Sequence, residues 1–199
     1  MNRKNNYTTT EPIESWGKFL EVIQDLENKG KYKLSLFMTI SAYMGLRASE
    51  TLNLKWKDIL ERDSVVIYQS KNKKHREIPV HPFVKDSIIR VYRKMGSPSM
   101  ENYFTRSKKY SGENKPMSVS YINRQFKIIN RRYNIGLERF STHSLRKSMV
   151  VRVLSLTTDD SYHRRLCEIS KMLGHSSPEQ TMKYVGIEQK HLDNLYTMM

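Results

Sequence analysis

A histidine and an arginine three residues apart form the first arrangement in this sequence that suggests chemistry. His143 and Arg146 stand in the segment HSLR, near the start of a helical stretch. Three-residue spacing places both side chains on one face of a helix. The first helical turn has free N–H groups and the positive end of the helix dipole, so a phosphate is favoured there. On its own the pair is weak evidence, since a solvated pair on a helix surface is the default interpretation.

A second histidine and a tyrosine follow farther along the chain. His175 comes directly after a Leu-Gly dipeptide, which is typical of a helix end followed by a turn. Tyr184 lies nine residues later, on a short helix that Ser177 and Pro178 can begin. The chain has 12 tyrosines, so position alone gives little reason to expect a nucleophile at Tyr184.

Helical periodicity predicts the elements that must position these residues. A helix through 34–44 ends at Gly45, which places Arg47 at the junction with a short helix that runs to about Leu54. A helix over 118–133 carries its apolar residues on one face and its basic residues elsewhere. Further helices are predicted at 16–29, 83–95, 142–156, 162–173 and 178–185, before a last amphipathic piece that ends at Met199.

Two short β-rich runs predict one small hairpin. Residues 65–68 and 77–80 are the strands, and the basic segment 71–76 is the turn between them. Pro79 would be confined to a sheet edge or a strand end. The predicted fold class is therefore mostly α with a small antiparallel β-sheet (α+β). Residues 1–12 are predicted to be a flexible tail or linker, and residues 13–199 one domain.

The charge balance indicates a polyanionic partner. Against 35 Lys and Arg stand 20 Asp and Glu, which leaves a net charge of +15 and favours nucleic acid over a membrane surface. No run approaches the ~18 apolar residues of a membrane span, and the first twenty residues do not resemble a signal peptide. We therefore expect a cytoplasmic protein that does not bind membranes.

Neither the cysteine nor the histidines suggest a metal site. Cys167 is the single cysteine and lies in an apolar helical stripe, so a buried small residue is expected rather than a reactive thiol. The six histidines include no pair at a recognised zinc spacing. We expect neither a metal nor another cofactor.

Taken in order, the motifs resemble those of the tyrosine recombinase (phage integrase) family. They are GLRASE at 45–50, a lysine in a β-turn, His-x-x-Arg, Leu-Gly-His and finally a tyrosine. The resemblance runs from about Trp16 to the C-terminus. It implies the catalytic-domain fold of that family and an enzyme that cuts and rejoins DNA, by integration or another site-specific recombination, through a 3′-phosphotyrosyl intermediate.

The resemblance also implies a role for each motif residue. Phosphoryl transfer develops charge on the non-bridging oxygens, which guanidiniums and histidine donors can stabilise without a metal. The implied phosphate-binding set is Arg47, His143, Arg146 and His175, with Tyr184 as the nucleophile and Lys71 as the turn lysine.

Two proton transfers accompany this chemistry. The phenol has a reference pKa of about 10, so it must lose its proton to a neighbour, for which His143 is the expected base. The family's turn lysine protonates the leaving 5′ oxygen; Lys71 fits that place, while Lys73 and Lys74 stay open as alternatives. Glu50 is expected to orient a basic neighbour by a charge-assisted hydrogen bond.

The expected partner is double-stranded DNA, bound by a chain that is monomeric in isolation and forms a homo-oligomer, a tetramer, on DNA. An apolar stripe after the nucleophile packs either on its own domain or on a neighbouring protomer. The candidate DNA contacts are Lys73, Lys74, Arg76, Arg124, Lys127 and Arg131, and the stripe comprises Ile187, His191, Leu192, Leu195, Tyr196 and Met199.

Three departures from the family pattern and three other functions bear on this hypothesis. Gly186 stands where many members have a histidine, the stretch between Arg146 and Leu173 is longer than usual, and no separate N-terminal core-binding domain precedes residue 13. The last departure predicts either a naturally short integrase or an excised catalytic domain. The other functions are a type IB topoisomerase, a non-catalytic DNA-binding module of the same fold, and a generic RNA-binding protein.

Overall fold

The computed structural model describes residues 10–69, 74–107, 112–158 and 161–186. These residues form helices around a two-stranded antiparallel sheet, which confirms the predicted fold class. In chain order the elements are α1 (Trp16–Asn28), α2 (Tyr32–Met44), α3 (Ala48–Leu52), α4 (Trp56–Ile59), β1 (Ser64–Gln69), β2 (Lys74–Pro79), α5 (Pro82–Lys94), α6 (Val119–Tyr133), α7 (Thr142–Ser155), α8 (Tyr162–Leu173) and α9 (Pro178–Val185).

Local capping signals explain why the main helices begin and end where they do. Several helices start after a serine whose hydroxyl accepts a backbone N–H of the first turn; these are Ser15, Ser118, Ser141 and Ser177. Helix α2 ends at Gly45, which has a left-handed φ of 60°. A Cβ on Gly45 would lie 2.3 Å from the Met149 side chain, so glycine fits both this turn and its close packing.

The apolar core has two parts that meet at α7. The larger part surrounds α2, which is buried on nearly every side by α1, α5 and α7. The smaller part is built from α7, α8 and α9, with Met149, Ile169 and Val185 among its members. Leu145 belongs to the larger part and Met149 to the smaller, so one turn of α7 spans the boundary.

The hairpin is longer than the sequence indicates. The strands pair from Ser64 opposite Pro79 to Gln69 opposite Lys74. The prediction that residues 74–76 belong to the turn is therefore wrong, because antiparallel pairing continues through Lys74 and draws Arg76 into β2. Pro79 ends β2, as predicted. Lys71 and Lys73 lie outside the described residues.

Two further expectations need correction. Helix α4 is absent from the predicted elements; it is a single turn whose Trp56 is buried against Tyr92 and Phe104. Cys167 is half-buried rather than buried, because it lies at the edge of the α8 stripe with its Sγ 3.7 Å from His163 Nε2.

Within the described ranges, no helix has the length and apolar character needed to cross a membrane. Most of the predicted tail, residues 1–9, lies outside those ranges. Near its end, a Glu11 carboxylate oxygen accepts the backbone N–H of Glu138 at 2.9 Å, and Ile13 is buried.

Candidate active site

Arg146 lies at the centre of the site, where the two parts of the core meet. It stands in the first turns of α7 and is only 3% exposed. Its Nη1 donates to the Gly45 carbonyl oxygen and its Nη2 to the Leu173 carbonyl oxygen, both at 2.7 Å. Arg146 therefore ties the turn before Arg47 to the turn before His175, and three separate sequence motifs converge on one guanidinium.

The Glu50 carboxylate pairs with the other two arginines of this site, Arg47 and Arg76. Its carboxylate accepts the Arg47 backbone N–H at 2.7 Å and the Arg47 Nη1 at 2.9 Å. The same carboxylate lies 3.4 Å from Arg76 Nη2 and 3.9 Å from Arg146 Nη1. The prediction that Glu50 orients a basic neighbour is confirmed. One carboxylate against three guanidiniums leaves a net positive cluster, which is suited to an anion.

Arg76, predicted to lie in a turn, lies on β2 and belongs to this arginine cluster, while its contact with DNA stays a prediction. Its Nη1 donates to the Met172 carbonyl oxygen at the end of α8. Its Nε is buried and has no hydrogen-bond partner among the described residues. Burial lowers the pKa of Arg76, and Glu50 opposes that effect. A buried, unused N–H donor of this kind is a candidate contact for a bound oxyanion.

The two motif histidines lie in the same positive field. Burial lowers the pKa of His175 to about 4, and Arg146 and Arg47 act in the same direction. His143 is exposed at the first turn of α7, but partial burial of its ring together with Arg146, Lys147 and Arg47 lowers its pKa below the ordinary value. Both imidazoles are therefore neutral near pH 7, and each has one ring nitrogen that can accept a proton.

Tyr184 brings the remaining motif to the cluster. Its hydroxyl is buried and has no hydrogen-bond partner among the described residues. Burial raises the pKa of this phenol, whereas the nearby Arg146 and Arg47 guanidiniums lower it. The Tyr184 and His175 rings are 5.3 Å apart between centroids and nearly perpendicular. The phenol is thus protonated in the resting site, and the Arg146 guanidinium lies close enough to act on its oxygen.

Lys147 is a site residue that the sequence analysis missed. It is 4% exposed, and its Nζ lies 5.2 Å from the centroid of the Tyr184 ring. Burial lowers its pKa. A cation over an aromatic face is attracted to the ring and restrains it. The available signal was adjacency to Arg146, but neighbouring helical residues point in different directions, so burial of Lys147 depends on how α7 packs against both parts of the core.

The remaining predicted residues divide into two groups. Exposed side chains at Arg124, Lys127 and Arg131 lie on α6, opposite a buried apolar face. Lys127 and Arg131 line a surface groove together with Arg139. Lys71, Lys73 and the side chain of Lys74 are outside what the structure describes. Across the described ranges, no group of three or more His, Cys, Asp or Glu side chains is arranged to hold a metal ion.

Comparison with known sequences gives a family and several relatives. The phage integrase family matches residues 14–191. The probable integrase/recombinase YoeC of Bacillus subtilis is 32% identical over 179 residues, which cover 90% of this chain and 91% of YoeC. Tyrosine recombinase XerC of Thermodesulfovibrio yellowstonii is 26% identical over 76% of this chain but only 49% of its own length. The chain therefore spans about half of that relative and nearly all of YoeC.

Solved structures show the same fold at lower identity. The crystal structure of XerA recombinase aligns with a TM-score of 0.69 and 21% identity over 94% of this chain and 65% of XerA. XerH bound to a palindromic difH substrate in a post-cleavage complex aligns at 0.70 and 22% identity, over 94% of this chain and 52% of XerH. A lambda integrase tetramer bound to a Holliday junction aligns at 0.59 and 20% identity, over 87% of this chain and 48% of the integrase.

Proposed function

Because this chain belongs to the phage integrase family, whose catalytic-domain fold it shares, we propose that Tyr184 attacks a DNA phosphate and forms a 3′-phosphotyrosyl bond. The observation that carries the proposal is a buried phenol oxygen with no hydrogen-bond partner in the described part of the chain, beside a cluster of guanidiniums. The phenol oxygen thus lies beside the guanidiniums that would bind the phosphate under attack.

The arginine cluster supplies the charge that this reaction requires. As the phenol oxygen attacks, negative charge grows on the two non-bridging oxygens of the phosphate. Arg146 is fixed by two backbone carbonyls, and Arg47 is fixed by Glu50 while its side chain stays 44% exposed. Groups that are oriented before the substrate binds stabilise the transition state without further reorganisation.

The phenol also needs a proton acceptor. Its raised pKa means that few Tyr184 side chains are ionised at neutral pH. His143 is the proposed base, since its lowered pKa keeps the ring neutral and it lies in the electrostatic reach of the same two arginines as Tyr184. The expelled 5′ oxygen then takes a proton from Lys71, which follows β1 in the sequence.

The Lys71 assignment predicts a specific rescue. When sulfur replaces the bridging 5′ oxygen of the substrate, the cleaved strand departs with a 5′ thiolate. This leaving group needs no protonation. Lys71→Ala is therefore expected to cleave the sulfur substrate at nearly the wild-type rate and to cleave ordinary DNA about 100-fold or more slowly. Single-turnover rates on both substrates measure the effect, with Lys73→Ala and Lys74→Ala as matched controls. If the sulfur substrate restores cleavage by Lys73→Ala or Lys74→Ala but not by Lys71→Ala, the general acid is the residue replaced in the rescued variant.

The exposed basic face of α6 is proposed to contact the DNA backbone. Replacing Arg124, Lys127 and Arg131 with glutamine is expected to weaken binding to a generic duplex, because counterions released by phosphate contacts drive such binding. If all three residues contact phosphate, the slope of log affinity against log salt decreases in magnitude by about 3. Fluorescence anisotropy over a range of salt concentrations measures this slope.

A charge-matched control separates local contact from overall charge. It replaces three exposed cations on other elements, namely Lys57, Arg62 and Arg93. The control is expected to change the slope of log affinity against log salt by less than about 1, the value of one phosphate contact. Equal slopes for the two triple variants would exclude α6 as a specific contact face.

The proposed function is tested with a nicked suicide duplex that carries the recombination site found in the DNA flanking the gene. Cleavage beside the nick releases a short fragment, so the covalent protein–DNA adduct accumulates. Formation of an adduct supports the proposal, while specific binding without an adduct supports a non-catalytic DNA-binding module. Relaxation of supercoiled DNA by a lone protomer would favour a type IB topoisomerase.

The assembly on DNA is a separate proposal. Solved relatives include a lambda integrase dimer on a core site and a lambda integrase tetramer on a Holliday junction. We propose that this chain also forms an oligomer on DNA and that it is a monomer in isolation. Native mass spectrometry of the same reactions measures both states. The apolar stripe after the nucleophile lies in residues 187–199, outside the described residues, so its exchange between protomers stays a prediction.

A further inference from the structure

A chain of buried hydroxyl groups leads from His175 into the protein. The His175 Nδ1 is 2.8 Å from Thr181 Oγ1, and Thr181 Oγ1 is 2.7 Å from Ser170 Oγ. Ser170 Oγ donates to the Leu166 carbonyl oxygen at 2.9 Å. Ser170 is 3% exposed and Thr181 is fully buried, so the protein itself supplies the partners of these hydroxyls.

The direction of the hydrogen bonds in this chain follows once the one Ser170 proton is assigned to the Leu166 carbonyl oxygen. A carbonyl oxygen can only accept, so the 2.9 Å bond to Leu166 uses the one proton of the Ser170 hydroxyl. Ser170 must then accept from Thr181, which uses the single proton of that hydroxyl as well. Thr181 Oγ1 then accepts a hydrogen bond donated by the His175 Nδ1–H group. A neutral imidazole with its proton on Nδ1 has a lone pair on Nε2.

We propose that Ser170 and Thr181 are positioning residues that hold neutral His175 in the Nδ1–H tautomer, so that His175 binds a DNA phosphate oxygen only after Nε2 takes up a proton. The second half of this statement rests on the proposed function. A phosphate oxygen only accepts hydrogen bonds, and the lone pair of Nε2 would face it without a donor. One proton from solvent converts the ring to imidazolium, in which both nitrogens donate.

The charges around His175 explain why its ring takes up a proton when DNA binds. The charged and titratable groups that face the ring are Arg47 before α3, Arg146 on α7 and Tyr184 on α9. Burial and the two arginines keep the pKa of the ring at about 4 in the free protein. A bound phosphate places negative charge beside the ring and raises that pKa. Binding and protonation are therefore linked, so DNA is bound more strongly as pH falls.

A purely structural role for the same hydroxyls makes a different prediction. Ser170 and Thr181 also fasten α8 to α9, and loss of that contact alone would slow the reaction equally at every pH. Ser170→Ala is the informative variant, because it retains the Ser170 backbone carbonyl that accepts the His175 backbone N–H at 2.9 Å and removes only the hydroxyl, which bonds to Thr181 and Leu166. Its removal leaves the Thr181 contact in place but frees the Thr181 proton, so Thr181 can donate to Nδ1 and the Nε2–H tautomer becomes accessible.

The tautomer is measured on the free protein by long-range 1H–15N NMR with labelled histidine near pH 7, and His175→Gln assigns the signals. The wild type is expected to show a protonated Nδ1 and an unprotonated Nε2. In Ser170→Ala a substantial Nε2–H population is expected, whereas Thr181→Ser retains the wild-type pattern. Ser35→Ala, which removes another buried serine hydroxyl, is the matched control. A wild-type ring protonated at Nε2 would overturn the proposal.

The reaction itself provides the second readout, with the suicide duplex as the probe. The ratio of the Ser170→Ala rate to the wild-type rate is expected to rise about fivefold or more between about pH 6 and pH 8, where an imidazole beside a phosphate titrates. Taking the ratio cancels the pH dependence of the other groups. A ratio that stays constant over this range would show that the hydroxyl chain only stabilises the packing of α8 against α9.

The two measurements distinguish failure of the tautomer assignment from failure of the proposed function. If NMR shows the Nδ1–H tautomer and no variant forms an adduct, the tautomer assignment stands and the proposed function fails. If the wild type forms the adduct but its free ring is protonated at Nε2, the proposed function stands and this inference fails.

Discussion

Tyr184→Phe is expected to bind DNA as the wild type does and to form no covalent adduct with the suicide duplex. The substitution removes one oxygen, the atom proposed to attack phosphorus, and leaves the arginine cluster in place. Adduct formation is expected to fall below detection, and binding affinity to change by less than about threefold. Gel electrophoresis under denaturing conditions measures the adduct, and a gel shift measures the affinity.

The same variant has a second expected property. In the described part of the chain the Tyr184 hydroxyl is buried without a hydrogen-bond partner. Replacing it with hydrogen therefore removes an unsatisfied group, so the free energy of unfolding should stay equal or increase by about 1 kcal/mol. Tyr162→Phe is a matched control, since Tyr162 is a half-buried tyrosine that packs against the same part of the core. An adduct that persists in Tyr184→Phe, or disappears in Tyr162→Phe, would contradict the assignment.

Arg146→Lys is expected to lose both activity and stability. A lysine retains the charge but cannot donate to the Gly45 and Leu173 carbonyls in the same fork geometry. At least one buried carbonyl loses its partner, and the free energy of unfolding should decrease by about 2–4 kcal/mol. Adduct formation should fall by about 100-fold or more, because one fixed donor to the phosphate is lost.

Arg47→Lys separates the two effects. The Arg47 side chain is 44% exposed, and its ion pair with Glu50 adds little to stability. This variant should lose adduct formation to a similar degree while its free energy of unfolding changes by less than about 1 kcal/mol. Chemical denaturation measures both proteins. An Arg146→Lys protein as stable as the wild type would show that Arg146 does not link the two turns.

Local signals account for the parts of the fold that the sequence predicts well. Ser118 and Gly174 lie at the ends of their helices, because a serine hydroxyl caps a first turn and a glycine accepts the left-handed conformation. The approach of Arg47, Arg146 and Tyr184 was expected from resemblance to a family, since no local signal brings positions so distant along the chain together. Their individual roles stay predictions until variants are measured.

Features that depend on tertiary packing were not accessible from the sequence. Arg76 enters the cluster because β2 begins at Lys74, before its predicted start at residue 77, and short basic strands have no clear pattern. Lys147 is buried because α7 is enclosed by both parts of the core, which its sequence does not reveal. The hydroxyl chain behind His175 joins Ser170 to Thr181 across two helices, and such a contact is visible only after they pack.

The most direct test of the central claim is to map the residue that carries DNA in the trapped adduct. Nuclease digestion followed by trypsin leaves a nucleotide on one peptide, which tandem mass spectrometry identifies. We expect this peptide to be 184–190, released by cleavage after Lys183 and Lys190, with the nucleotide attached through its 3′ phosphate to the Tyr184 oxygen. A nucleotide found on any other residue, or a linkage through a 5′ phosphate, would contradict it.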